Sequence, residues 1–419
     1  MDREAAGGTL VLGGGFAGGY VARLLGKHGA TIVSPENFML YTPMLPEAAS
    51  GTLEPRHVVV PLRMMCPRAE LILGRAVTLE LDRQRVQVAT DEGLFHVRYR
   101  DLVVALGAIS RTLPIPGLAD YGLGFKSLAD AIHLRNHVLR RLEAAAAAPT
   151  DAHRRRELTF VFVGAGYAGV EALAELSDLV RDALRYYPSL RDIPQRWVLV
   201  DVARTILPEI PRRLGDYAAA QLEGRGVEIL TETTLEAAEP HAVTLSGGRH
   251  IHTSTLVWTA GVRPHPMLVD FGLPVDERGR VVVDETLRVE GHEHIWGLGD
   301  GARVPNAATP GAFDPPTCQH ALRQARRLAR NLRDGERQRY RYRMLGQVAT
   351  LGRYKGIADV MGLRLRGFPG WFVTRTYHLY QLPLLSRKLR VVTDWTTSLF
   401  FRRDIAELGM LGHPQRLEP

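Results

Sequence analysis

The 419 residues are enough for two or three domains with cores of their own, and 45% hydrophobic with 23% charged content excludes disorder on a large scale. Cys66 and Cys318 are the only two cysteines, which leaves neither a disulfide framework nor a zinc cluster and suits a reducing cytoplasm. The net charge of +8 is unevenly placed: Arg366 to Arg403 holds seven basic residues against Asp394, a local balance of +6. The aromatic and aliphatic residues interleaved with that charge favour a membrane surface over nucleic acid.

The first residues are charged and run at once into a glycine turn, so no apolar leader is expected, and no run reaches the ~18 apolar residues of a spanning helix. Thr9 to Leu12 predicts a strand, Gly13-Gly14-Gly15-Phe16-Ala17-Gly18 a turn, Ala17 to Lys27 a helix and Ala30 to Val33 the next strand. The apolar run Leu102 to Leu106, followed by Gly107, belongs to the same region, which closes near residue 125. A helical stretch from Leu128 to Ala148 then leads to a strand at Leu158 to Val163 and a second turn, Gly164-Ala165-Gly166-Tyr167-Ala168-Gly169. A helix from Val170 to Arg185 and a strand from Trp197 to Val200 complete that unit, and Ile295 to Asp300 reads as a later strand ending in an acid.

A dinucleotide's pyrophosphate sits against backbone N–H groups at a helix N-terminus, where no Cβ may intrude, and glycine alone permits that approach. One such turn is weak. Two of them, 151 residues apart (164 − 13) and each between a strand and a helix, argue for two nucleotide sites and electron transfer between them. The fold class expected is α/β, with two Rossmann-like dinucleotide-binding domains. The first, residues 1–125 and 266–330, is discontinuous and interrupted by the second, residues 150–265, with a C-terminal membrane-associating region at 331–419. In that region Trp371, Phe372, Tyr377, Tyr380, Leu385, Leu389, Trp395 and Phe400 alternate with Arg375, Arg387, Lys388, Arg390, Arg402 and Arg403, and Pro383 divides two short helices. Packing against the body or against a twin subunit is the alternative use of those side chains.

Four further segments carry a family resemblance: Asn37-Phe38-Met39-Leu40-Tyr41-Thr42-Pro43-Met44-Leu45, Val257-Trp258-Thr259-Ala260-Gly261-Val262, Gly297-Leu298-Gly299-Asp300 and Pro315-Pro316-Thr317-Cys318-Gln319-His320-Ala321. Together with both glycine turns they resemble the type II NADH:quinone oxidoreductases, single-subunit flavoproteins, from about Thr9 to Leu408. The resemblance implies FAD on Gly13, Gly15, Phe16, Ala17, Gly18 and Gly107, with Asp300 on a ribityl hydroxyl, Thr42 near the isoalloxazine ring and the main chain of Val77 at the adenine. Where the family has an acid on the FAD adenosine ribose this chain has Ser34, and Glu36 is either its substitute or a surface carboxylate of the turn Ser34-Pro35-Glu36-Asn37. NADH is implied on Gly164, Gly166, Tyr167, Ala168, Gly169 and Gly261, and Asp201 on its ribose predicts NADH over NADPH, with Arg204 softening the preference. Glu171, with Glu175 one turn on as its competitor, is expected near the nicotinamide and flavin as a catalytic acid. A carboxylate in the first helical turn also needs no function, since the dipole favours it. Gln319 is expected near FAD and at the quinone, and His320 near FAD and in the quinone's proton supply; the alternative is that both line the start of a helix from Ala321 to Leu332.

The function expected is hydride transfer from NADH to FAD and two electrons onward to a membrane quinone, without proton pumping, by a peripheral enzyme on the cytoplasmic face of an anionic membrane. A homodimer is compatible with it, and neither a metal nor nucleic acid is called for. One rival is a sulfide:quinone oxidoreductase, for which Cys318 has only Cys66 as a possible redox partner. Another is an NADH-responsive flavoprotein acting in signalling or partner binding.

Overall fold

Thr9–Leu12, the strand entering the first glycine turn, is fully buried, as a strand covered on both faces must be. It lies at the centre of a five-stranded parallel sheet in the order Ile295–Gly297, Asp101–Val104, Thr9–Leu12, Thr31–Ser34, Glu70–Leu73. The computed structural model describes residues 2–408, so the last eleven residues of the C-terminal region lie outside the described part. This sheet belongs to the first of two compact units, made of the chain up to Tyr41, Val59–Ile109 and Val262–Met344. The same unit holds a sheet of Asp2–Glu4, Gly93–Arg98, Arg85–Thr90 and Arg75–Glu80. Its long helix Cys318–Asp334 starts three residues before the expected Ala321, because Thr317 caps it by accepting the His320 N–H.

The second unit comprises Thr42–Val58, Ser110–Gly261 and the chain from Leu345 onward. Its central sheet is also five parallel strands: Gly122–Gly124, Thr255–Trp258, Thr159–Val163, Arg196–Val200, Val227–Leu230. In both units the strand before the glycine turn is central and the next strand in sequence lies beside it, the doubly wound arrangement that opens a crevice at the strands' carboxyl ends. Leu128–Ala147 is a helix closed at its start by a capping box between Ser127 and Asp130. Gly346–Thr350, Gly356–Val360 and Leu363–Gly367 form an antiparallel sheet, followed by the helices Phe368–Gln381 and Leu385–Phe400 with Pro383 between them. Among the described residues no helix is long and apolar enough to cross a membrane.

Candidate functional site

The two glycine turns repeat one steric pattern. Gly13 has φ 110°, and a Cβ there would stand 2.3 Å from the Ala105 carbonyl oxygen; Gly164 has φ 111°, and its Cβ would stand 2.6 Å from the Thr259 carbonyl carbon. A Cβ on Gly18 would lie 2.0 Å from the Gly13 oxygen and one on Gly169 would lie 1.9 Å from the Gly164 oxygen, so helix and strand touch through glycine. The middle residues differ: around a Cβ on Gly15 or Gly166 nothing lies within 4 Å. Gly15 and Gly166 are also the N-caps of Phe16–Leu25 and Tyr167–Ala183, and neither end has a side-chain cap. Open space facing uncapped N–H groups fits a pyrophosphate in each unit, held by the residues around it.

Around the first turn, Ser34 ends the strand where a ribose-binding acid would stand. Its Oγ accepts the Glu36 N–H at 3.4 Å and would lie 2.5 Å from a Cβ on Gly14, so the small side chain is buried under the glycine turn while Glu36 is exposed. Val77 is the unpaired residue of a bulge between Ala76 and Thr78, which leaves its main chain out of the ladder. Phe16 packs on Tyr41 at 5.4 Å. Gly107 has φ 69° and accepts the His265 N–H.

Asp300 sits one turn past its strand, in Gly299–Gly301, rather than at the strand's last residue. The Gly299 N–H donates to Gln324 Oε1 at 2.8 Å, Gln324 Nε2 donates to Asp314 Oδ2 at 2.9 Å, and Asn306 Nδ2 donates to Asp314 Oδ1 at 2.8 Å. This buried chain ties the Asp300 turn to the helix carrying Gln319 and His320. Gln319 Oε1 accepts from the Tyr342 hydroxyl at 3.0 Å, which orients its amide. His320 shares a 2.7 Å hydrogen bond with Thr317 Oγ1, its Nε2 faces Asp314 at 3.6 Å, and burial, opposed by Asp314, lowers its pKa. Burial pushes both thiols up to about 11, with Asp300 adding to the rise at Cys318, while Cys66 Sγ donates to the Gly19 oxygen. Both stay protonated near neutral pH, which disfavours thiolate chemistry.

In the second unit Asp201 follows Arg196–Val200 and folds back on the turn, accepting the N–H of Ala165 and, at 2.7 Å, that of Ala203. Each carboxylate oxygen keeps a further lone pair for a hydroxyl. Thr259 Oγ1 donates to the Val163 and Gly164 oxygens, and Gly261, at φ 94°, donates to the Thr259 oxygen. Burial, with Glu209 and Glu171 adding to it, raises the pKa of Tyr167. Thr42 opens the turn Thr42–Met44, which runs into the helix Leu45–Ala49.

The helix Tyr167–Ala183 carries acids at 171, 175, 178 and 182, three or four residues apart and so on one face. Glu175 is fully buried and accepts from Arg403 Nη2 at 2.9 Å and Ser50 Oγ at 3.0 Å. Asp178 accepts from Arg225 at 2.6 Å, and Arg403 also reaches Asp182 at 3.1 Å. Nearby in the network Glu47 accepts from Arg375 at 3.0 Å and from the Trp395 indole at 2.6 Å. Glu171 is bonded differently: its Oε1 accepts the Thr350 N–H at 2.8 Å and the Thr350 hydroxyl at 3.2 Å. Burial, with repulsion from Glu175 and Glu47 and against the Thr350 bonds, raises its pKa to about 8. Sequence reading missed Thr350 and Glu47, which act on Glu171 from distant parts of the chain, and Asp314 and Gln324, which lie close in sequence to His320 and Gln319.

The family model for pyridine nucleotide-disulphide oxidoreductases matches residues 8–325. The chain is 30% identical to the internal alternative NAD(P)H-ubiquinone oxidoreductase A1 of Solanum tuberosum, covering 95% of this chain and 88% of that protein. It is 28% identical to a type II NADH:quinone oxidoreductase of Mycobacterium tuberculosis, covering 96% and 89%. The fold matches NDH2 of Plasmodium falciparum in complex with NADH, with a TM-score of 0.88 at 18% identity over 96% of this chain and 99% of that one. A doubly wound unit around each glycine turn, and relatives aligned along nearly the whole length, lead to one assignment: the chain belongs to the type II NADH:quinone oxidoreductases, within the pyridine nucleotide-disulphide oxidoreductase family.

Proposed function

We propose that the chain is an FAD-dependent NADH:quinone oxidoreductase that takes two electrons from NADH to a membrane quinone without pumping protons. The observation that carries the reading is the repeated glycine turn, each copy with an uncapped helix end and open space at its middle glycine. Bound FAD would supply the two-electron acceptor between nicotinamide and quinone. In the first unit the turn Gly13 to Gly18 would hold its pyrophosphate, Asp300 a ribityl hydroxyl and the bulged main chain of Val77 its adenine. In the second, Gly164 to Gly169 would hold NADH and Asp201 its ribose. Reduction of a quinone to a quinol consumes two protons while NADH delivers one hydride, so one proton per turnover must come from solvent. Glu171, whose pKa burial raises to about 8, would hold such a proton, and Gln319, whose amide oxygen accepts from Tyr342, would donate to a quinone carbonyl.

Attachment to the surface of an anionic membrane is supported by the two helices after Gly367. Leu385 is 71% and Phe400 78% exposed, and Arg387, Lys388 and Arg390 stand between them. The decisive experiment follows the flavin absorbance of purified protein anaerobically, first with NADH and then with a soluble quinone. Bleaching by NADH followed by full recovery on quinone, repeated over many turnovers, is expected. Bleaching without recovery would leave the NADH-responsive rival in its place.

A further inference from the structure

The loop that carries Asp201 is held by a second carboxylate that the sequence reading did not use. Glu232 lies just past the strand Val227–Leu230, which neighbours the strand delivering Asp201. Its N–H donates to the Ala203 oxygen at 3.1 Å and the next N–H, of Thr233, donates to the Asp201 oxygen at 3.0 Å. Its φ is 50°, in the left-handed region where a residue with a side chain is uncommon. From there its Oε1 accepts from Arg204 Nε at 3.1 Å.

Arg204 stands three residues past Asp201, where an arginine can accommodate the 2′-phosphate of NADPH. Arg204 and Glu232 are 88% and 63% exposed at their side chains, so their ion pair contributes little to stability. Its consequence is chemical. To spend its full charge on a 2′-phosphate, Arg204 must give up Glu232, and the phosphate also meets the carboxylate of Asp201. A ribose 2′-hydroxyl meets neither obstacle, since Asp201 accepts from it and Arg204 is not needed.

We propose that Glu232 is a specificity-determining residue that excludes NADPH by sequestering Arg204. The proposal rests on the reading of Asp201 as the ribose ligand. Neutralising Glu232 therefore admits the phosphorylated nucleotide without weakening the other.

The test compares wild type, Glu232→Gln, Glu232→Gly, Arg204→Ala and the double variant Glu232→Gln with Arg204→Ala, all loaded with FAD at one ionic strength. Steady-state kcat/KM is measured for NADH and NADPH, and calorimetry gives Kd for 2′,5′-ADP and 5′-AMP. Glu232→Gln is expected to raise kcat/KM for NADPH about fivefold and to tighten 2′,5′-ADP by a similar factor, the scale of one exposed ion pair. NADH and 5′-AMP should change by less than about twofold. Glu232→Gly should give the same gain with no loss of stability, because glycine adopts the positive φ without strain. Arg204→Ala in the double variant should erase the gain. A gain that survives Arg204→Ala, or equal changes for both nucleotides, overturns the proposal and leaves Glu232 as a turn residue. A wild type that prefers NADH, loses the preference on Asp201→Ala and ignores Glu232→Gln also sinks it while sparing the nucleotide site. A wild type indifferent to the 2′-phosphate, with Asp201→Ala silent, removes the Asp201 reading itself.

Discussion

Replacing Glu171 by Gln asks whether the helix after the second glycine turn carries a protonated acid. Glu171 is 8% exposed, Thr350 donates to it twice, and among the described residues no lysine or arginine forms an ion pair with it. Gln keeps the acceptor and the shape while removing the titration. Burial raises the carboxyl from 4.5 to about 8, so between those values the folded wild type holds a proton that the unfolded chain has released. Stability therefore falls as pH rises through that window and is flat above it. The rise of about 3.5 pH units, at about 1.4 kcal/mol each, gives about 5 kcal/mol as an upper bound on the advantage of Glu171→Gln above pH 8, vanishing near pH 4.5. A chain of this size does not unfold in one step, so the readout is the pH-dependent part of the Tm difference between matched FAD-loaded proteins. Difference infrared spectroscopy should show a protonated carboxyl band in wild type alone, disappearing near pH 8. An advantage that does not grow with pH, or a band that titrates near 4.5, would refute the reasoning.

Gln319→Ala should leave flavin reduction by NADH near wild type and slow reoxidation by quinone about tenfold, the scale of one lost hydrogen bond, as resolved by rapid mixing. The opposite split would move the quinone to other residues. Co-sedimentation with anionic vesicles should weaken with salt and with Leu385→Ser, Leu389→Ser or Phe400→Ser, each costing up to about tenfold in partitioning. Unchanged binding of all three would assign these side chains to a protein partner. Point substitutions are used because Arg375 and Arg403 of the same segment serve buried acids, and a truncation after Leu365 would leave uncompensated charge.

Both glycine turns were legible because their demands are local: a strand, a tight glycine turn and a helix follow one another directly in the chain, and the strands Thr9–Leu12 and Thr159–Val163 stand where the apolar runs place them. Asp201 was legible as the residue at the carboxyl end of the next strand, directly after Val200. At Ser34 the demand is again local: packing under Gly14 selects the small side chain at the strand's end, and Glu36, the acid expected to substitute, stands two residues on in an exposed bend. The partners that set the chemistry of Glu171 and Glu47 were out of reach, since Thr350 lies 179 residues from the first and Arg375 lies 328 from the second. No periodicity connects such positions, and Gln324 is hidden for another reason: on a helix so rich in arginine, its two buried hydrogen bonds look like one more polar position.

The same long separations bear on how the chain is made. Glu175 lies on the helix that follows the second glycine turn, and the arginine that neutralises it is encoded 228 residues later. As the polypeptide leaves the ribosome, the sheet and helix around the second glycine turn are complete long before Arg375 and Arg403 appear. Until then, burying that helix face means burying acids without their cations, so the region stays open or takes up protons during synthesis. The second unit is thus expected to resist the usual domain-by-domain maturation and to close late. A ribosome stalled before residue 375 would expose this region to protease, and a nascent chain extended past 403 would protect it.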